Sequence, residues 1–349
     1  MGAMFYGAYR DDPSKATTQS EQPSLDEVAS ALIGPDLLRA FGAKLERGRG
    51  EALERSWAAR LPDPEHPLTL AAWADRTGRF VHGSEDPFPA FLFDATIVET
   101  GQAMAFTTTQ FPSPGYRSAF DRRSRQSPIA ESANLVFDLS DGDASMGGGA
   151  DLQVATAARL SAAFPFVSPA ATLQTAQGKR FHVVDGGYYD NYGLVVTSQW
   201  LDDALEEISK GGRFDVAMAL DLVIARTLVD ATQDVVAPID AQKPEGPWRY
   251  TASAKSHGWA WQATAPVLAF VNGRTFGQWT GGNQVLRLLI DKWRWRNATI
   301  RVHLFDLPAR QLRLPCRVEP LSWKLTEPQR ACMSEGWEKV KTKVAALQR

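Results

Sequence analysis

The sequence predicts an α/β fold built on a mainly parallel central sheet, and three stretches carry that expectation. In FHVVDGGYYDNYGL, residues 181 to 194, a β-branched apolar run ends in Asp185 and is followed at once by Gly186 and Gly187. A helical stripe from Gly193 to Lys210 comes next, with Leu194, Val195, Trp200, Leu201, Leu205 and Ile208 on one side, and then a second apolar run, Phe214 to Ile224. Strand, helix and strand in that order are the repeating unit of a parallel sheet. Just upstream, DLQVATAARLSAAFPFVSPA (151 to 170) reads as a helix capped by Asp151 and stopped at Pro165 and Pro169, with Ala155, Ala158 and Ala162 small enough for close packing on a sheet.

The other elements follow in chain order. MGAMFYGAYR opens the chain as a small-and-apolar helix, and the polar stretch from Asp11 to Ser24 reads as a loop. From Leu25 to about Arg60 the pattern is helical in pieces, with Ser24 and Glu27 at capping-box positions and a break at Gly34-Pro35. Prolines 62, 64, 67, 87 and 89 surround one short helix near Leu68 to Ala74. Phe91 to Glu99 (FLFDATIVE) and Ala103 to Thr109 form a hairpin about Thr100-Gly101-Gln102. RSAFDRRSR, 117 to 125, is a basic cluster in a loop. After a loop at 230 to 256 come an amphipathic helix (QVLRLLIDKWRW, 284 to 295), a strand from Ala298 to Phe305 and a closing helix from Leu325 to Leu347. Eight tryptophans lie in this last part, and the stripe around Lys292, Arg294 and Arg296 reads as core with a basic rim.

Several function classes fall away on composition. With 38 basic against 40 acidic residues the chain has no electrostatic footprint for nucleic acid. Two cysteines, Cys316 and Cys332, suit neither a disulfide framework nor a metal site, and the five scattered histidines lack ligand spacing, so no metal or cofactor is expected. No apolar run of about 18 residues is present. Cytoplasmic or membrane-associated placement is favoured over secretion, and oligomeric state is left open.

The chemistry-bearing stretch is the Asp-Gly-Gly turn. Asp185 ends its strand on the rim where open α/β sheets gather reactive groups, and the glycines allow a sharp turn and close approach of a ligand. Strand alternation puts Asp185 on the face of Val183 and His182 on the other, so His182 is a poor partner for it. A bare Asp-Gly turn is ordinary loop punctuation. The small-residue helix ending in Phe-Pro-Phe-Val-Ser-Pro, followed by V-V-D-G-G-Y-Y-D-N-Y-G, resembles the carboxyl half of the patatin-like phospholipase domain. The order of the earlier parts, including FDATIVETG, extends the likeness back to Gly2; beyond about residue 225 it fades.

That resemblance implies a three-layer sandwich with helical insertions, spanning residues 1–225 and followed by an extension at 226–349 packed on the same domain. It implies a lipid acyl hydrolase that cleaves glycerolipid esters through an acyl-enzyme, with a serine nucleophile in a G-x-S-x-G elbow and Asp185 as its only side-chain partner. Gly2, Gly186, Gly187 and Asn191 would support elbow and turn, with Asp190 and Asn191 holding the turn by hydrogen bonds. No G-x-S-x-G occurs in the 349 residues. Aligned on that motif, Gly2 is its last glycine and the serine falls immediately before Met1, so the chain by itself is expected to be inactive. The implied partners are a lipid or ester substrate and, optionally, a membrane surface.

Two alternatives stay open. One is a non-catalytic, lipid- or membrane-binding relic of the same fold. The other is an unrelated esterase using Ser145, whose G-x-x-S-x-G setting in NLVFDLSDGDASMGGGADL is one residue too long for the elbow and reads better as a glycine-rich surface loop. The same glycines lack the G-K-[ST] of a phosphate cradle.

Overall fold

A computed structural model of the chain describes residues 2–9, 11–42, 48–66, 68–81, 90–109, 116–118, 134–137, 152–163, 168–174, 180–210, 218–227, 259–296, 298–307, 327–328 and 331. The chain divides into two compact units, one of Met1–Gly211 with Gln278–Leu286 and one of Gly212–Gly277 with Arg287–Arg349.

The first unit opens with α1 (Gly2–Ala8), whose Met4 and Phe5 are fully buried. α2 (Pro13–Glu21) then occupies the stretch expected to be a loop. Polar composition misleads there, because the Asp12 carboxylate accepts from the Lys15 N–H at 3.0 Å and Pro13 presets the first turn. α3 (Leu25–Ala31), a π-helical turn at Leu32–Asp36 around Pro35, α4 (Leu37–Ala40) and α5 (Arg49–Ala58) realise the helix in pieces. Ser24 does not cap α3 as the capping box anticipates. Its buried hydroxyl instead accepts a 3.1 Å hydrogen bond from the Trp57 indole, tying the start of α3 to α5. Along this segment Leu32, Ile33, Leu37, Leu38 and Phe41 all remain exposed.

α6 (Leu70–Val81) runs longer than the short helix expected, and its fully buried Trp73 meets Phe91 edge-on with ring centroids 4.8 Å apart. Gly7 of α1 lies close against that indole, where an added methyl would sit 2.2 Å from a ring carbon. α7 (Val154–Ser161) buries Val154, Ala155, Ala157, Ala158 and Leu160, a small-residue face that packs on α1, α5 and the sheet. Its Arg159 pairs with Glu54 of α5, and Thr156 donates to the same carboxylate at 3.0 Å.

Among the described residues six strands make one sheet: β1 (Leu92–Ile97), β2 (Ala103–Thr107), β3 (Tyr116–Ser118), β4 (Asn134–Phe137), β5 (Ala171–Gln174) and β6 (Arg180–Asp185), in the order β3-β4-β2-β1-β6-β5. β2, β3 and β4 run parallel, but β1 is antiparallel to β2 and β6, and β5 is antiparallel to β6. The mainly parallel sheet is therefore corrected to a mixed one. The reason is connection length: the hairpin turn at Gly101 (φ +71°) and the five residues between β5 and β6 are too short for a helical crossover, so these neighbours must be antiparallel. The α/β class stands. α8 (Gly187–Asp190) and α9 (Leu194–Lys210) follow β6, and Val196, Tyr189 and Trp200 pack on Ala103 and Ala105 of β2.

In the second unit β7 (Met218–Thr227) and β8 (Ala298–Leu307) pair in parallel over ten residues. The helix α10 (Trp259–Arg294), which also supplies Gln278–Leu286 to the first unit, lies between them in sequence. Leu289, Ile290 and Trp293 are buried with Lys292 and Arg296 over the Trp293 ring, whereas Leu288 and Trp295 are exposed.

Met1, Cys316, Cys332, the Asp151 cap, Pro165, the loop holding Ser145, most of the basic cluster at 117–125, the loop at 230–256 and nearly all of the closing helix lie outside the described residues.

Candidate active site at the Asp-Gly-Gly turn

β6 ends where expected. Phe181 and Val183 are buried, and Asp185 pairs with Ala95 of β1 at the last register position. His182 faces the other way. It is half exposed, with its Nδ1 2.5 Å from the Glu99 carboxylate, and its N–H donates to the same group at 2.9 and 3.1 Å. His182 is thus engaged away from Asp185, as alternation requires.

The backbone of Asp185 is held by several neighbours. The Asp185 and Gly186 N–H groups donate to the carbonyls of Ala163 and Ser161, both at 3.3 Å, at the end of α7. The buried Thr96 hydroxyl donates to the Asp185 carbonyl at 3.0 Å. The Asp185 Oδ1 accepts from the Gly187 N–H at 2.6 Å, closing a short Asx-type turn that orients the carboxylate. The glycines are needed for space and not for an unusual backbone. Gly186 has φ −61°, ψ −29°, open to any residue, yet a Cβ there would lie 2.3 Å from the Asp94 carbonyl oxygen. At Gly187 an added Cβ would crowd Asp185 Oδ1 and Asn191 Oδ1, each at 2.8 Å.

Downstream residues lock the turn. The buried Asp190 carboxylate accepts from the N–H groups of Leu194 (3.2 Å), Val195 (2.7 Å) and Val196 (3.1 Å), satisfying the otherwise unpaired first turn of α9 and meeting the positive end of its dipole. Burial raises the Asp190 pKa above the usual carboxylate range, against the pull of those N–H groups. Asp190 therefore anchors α9, while Asn191 is tied through its N–H to Gln278 Oε1 at 3.3 Å. Gln278 Nε2 donates back to the Tyr188 carbonyl at 2.9 Å and more weakly to that of Gly187 at 3.4 Å. Trp279 stacks edge-on against Tyr192 beside it.

Sequence reasoning missed two participants. Gln278 carries no local signal, being 91 residues from the carbonyl it binds. Asp94 did carry one: a lone carboxylate inside the apolar strand FLFDATIVE, where a charge is costly. Gly2 stands at the start of α1, and α7 packs on both α1 and β6. Among the described residues no group of three or more His, Cys, Asp or Glu side chains is arranged to hold a metal ion.

The arrangement presents one oriented carboxylate on a rigid turn at a sheet rim, a geometry able to accept and return a proton. Comparison of the chain with protein-family models, with curated proteins and with solved structures returned no match.

Proposed function

We propose that this protein is a lipid acyl hydrolase in which Asp185 serves as the general base of a Ser-Asp dyad. The observation that carries the reading is the anchoring of Asp185, whose amide, carbonyl and carboxylate are each hydrogen-bonded so that the carboxylate keeps one orientation. A base held in this way can take the proton of a serine hydroxyl as it attacks an ester carbonyl. The alcohol then leaves with that proton, and water, deprotonated by the same carboxylate, releases the acid from the acyl-enzyme. By the patatin-like resemblance the serine would sit in a G-x-S-x-G elbow, a motif these 349 residues do not contain, with a glycine-rich loop to stabilise the oxyanion and helices on both faces of the sheet as a three-layer sandwich.

The exposed Leu32, Ile33, Leu37, Leu38 and Phe41 support contact with a lipid surface, since so many large apolar side chains over ten residues are costly to leave in water. The same surface would serve the second reading, a non-catalytic lipid-binding relic.

The test is ester turnover by a chain extended upstream at its coding sequence. Hydrolysis of p-nitrophenyl and glycerolipid esters by the extended chain, with none by residues 1–349, is the expected result. Liposome binding with no turnover after extension supports the relic instead. Activity of residues 1–349 that disappears in Ser145→Ala overturns the proposal in favour of a Ser145 esterase.

A further inference from the structure

The carboxyl end of α10 holds large apolar and basic side chains together in water, and the proposed chemistry uses none of them. Leu288 is 70% exposed, and Trp295, the first residue after the helix, is 88% exposed, more than any other large apolar side chain among the described residues. Seven residues apart, the two fall on one side of the helix, and the winding persists past Arg294 because the Arg296 N–H donates to the Trp293 carbonyl at 2.9 Å. Arg287, Asp291 and Arg294 are exposed on the same arc, while Leu289, Ile290 and Trp293 are buried on the opposite one. Lys292 and Arg296 each lie 5.3 Å from the centre of the Trp293 ring. The segment 287–296 thus carries Arg287, Lys292, Arg294 and Arg296 against the one carboxylate of Asp291.

We infer that this end of α10 is a docking surface for an anionic phospholipid membrane, with Trp295 and Leu288 entering the headgroup layer and the surrounding cations meeting lipid phosphates and carboxylates. The inference goes beyond the hydrolase reading and does not depend on it, since the patch shares no residue with the Asp-Gly-Gly turn. A helix dipole favours cations in a last turn, so Lys292, Arg294 and Arg296 are at home there in plain water. It gives no reason for an open indole and a leucine beside them. The headgroup layer suits all of these groups at once: the amphipathic indole sits at the boundary of polar and apolar matter, the leucine reaches the acyl chains, and guanidinium groups pair with phosphate. Single-stranded nucleic acid would use the indole and the cations but leave Leu288 idle, and its unbroken line of phosphates would be repelled by Asp291 on the same arc. A membrane accommodates that carboxylate, because zwitterionic headgroups bring an ammonium group to it.

The experiment is flotation of residues 1–349 with vesicles of phosphatidylcholine alone and of equal parts phosphatidylcholine and phosphatidylserine. The parent should prefer the anionic vesicles several-fold and be released from them by salt. Arg287→Gln with Arg294→Gln should weaken anionic binding by about tenfold or more, at about fivefold for each cation near an anionic surface, and erase the preference. Ile33→Ser with Phe41→Ser, at the other apolar surface, should leave that preference intact. Brominated acyl chains should quench the tryptophan emission of the bound parent, and the quenching should fall in Trp295→Ser, whose Tm should match the parent because the ring is exposed. A phosphatidylserine preference unchanged by the arginine variant, or quenching unchanged in Trp295→Ser, overturns the inference. Binding of a single-stranded oligonucleotide with indifference to both vesicles overturns it in favour of nucleic acid. Should the arginine variant fail to fold, the salt release of the parent and the quenching in Trp295→Ser decide the matter. None of these readouts needs turnover, so an upstream-extended chain without esterase activity fails the hydrolase reading and leaves this one standing.

Discussion

Gly186→Ala separates two accounts of the Asp-Gly-Gly turn. Gly186 has helical dihedrals, so a turn requiring only permissive backbone would tolerate alanine and gain about 0.4–1 kcal/mol from a less flexible unfolded chain. The packing says otherwise. The new Cβ would meet the Asp94 carbonyl oxygen at 2.3 Å, its carbonyl carbon at 2.6 Å and its Cβ at 3.0 Å, and these are mostly main-chain atoms with no rotamer to escape into. β1 cannot yield without disturbing its ladders to β2 and β6. Overpacking of this kind costs about 1–3 kcal/mol, and loss of the Thr96 bond to the Asp185 carbonyl about 1 kcal/mol more. A net loss of about 3 kcal/mol corresponds to a drop in Tm of roughly 6–12 °C for a unit of this size. Urea unfolding followed by tryptophan fluorescence measures it, and Gly187→Ala is the control. There the contacts are side-chain oxygens of Asp185 and Asn191 at 2.8 Å and not main-chain atoms, so a smaller loss, about 1 kcal/mol, is expected. A Gly186→Ala protein as stable as the parent, or more so, refutes the close-approach account.

Three further outcomes follow from the same contacts. Asp190→Ala removes the acceptor for three N–H groups at the start of α9 and should cost about 1–2 kcal/mol, read as a lower urea midpoint at unchanged slope. Because Asp94 and Asp190 bind protons more tightly in the fold than in the unfolded chain, the native state carries the excess protons. Their contribution is therefore fully present below the ordinary carboxylate range and is lost as pH rises through the folded values. Urea midpoints measured from pH 4 upward should fall for the parent and fall less for Asp94→Asn; identical slopes contradict this. Ile33→Ser with Phe41→Ser exchanges two exposed apolar side chains for polar ones, and should weaken co-sedimentation with lipid vesicles several-fold without changing Tm.

Elements defined by local pattern were legible in the sequence. The β1–β2 hairpin was visible in two β-rich runs around a glycine, and Gly101 takes the positive φ that the turn needs. The end of β6 and its alternation were equally plain, which is why Asp185, Val183 and His182 lie where expected. What failed depends on partners distant in sequence. Nothing local to β6 says that both its neighbours run against it, and the parallel strand–helix–strand unit occurs instead at β7, α10 and β8. α2 was missed because composition outweighed a capping signal at Asp12-Pro13 that was present. Ser24 fits a helix cap by spacing, but Trp57, 33 residues on, claims its hydroxyl. Asp94 was hidden for a related reason: one polar residue in a strand reads as its solvent face until the packing of α8 and α9 on that face is known.

The assignment of Asp185 as the base is tested most directly by Asp185→Asn in the upstream-extended chain. The amide keeps the side-chain oxygen that accepts from Gly187 but cannot take the serine proton, so Tm should stay within about 2 °C while kcat/KM for a p-nitrophenyl ester falls by about a hundredfold to ten-thousandfold. Turnover at the parent rate in a folded Asp185→Asn protein would contradict the assignment.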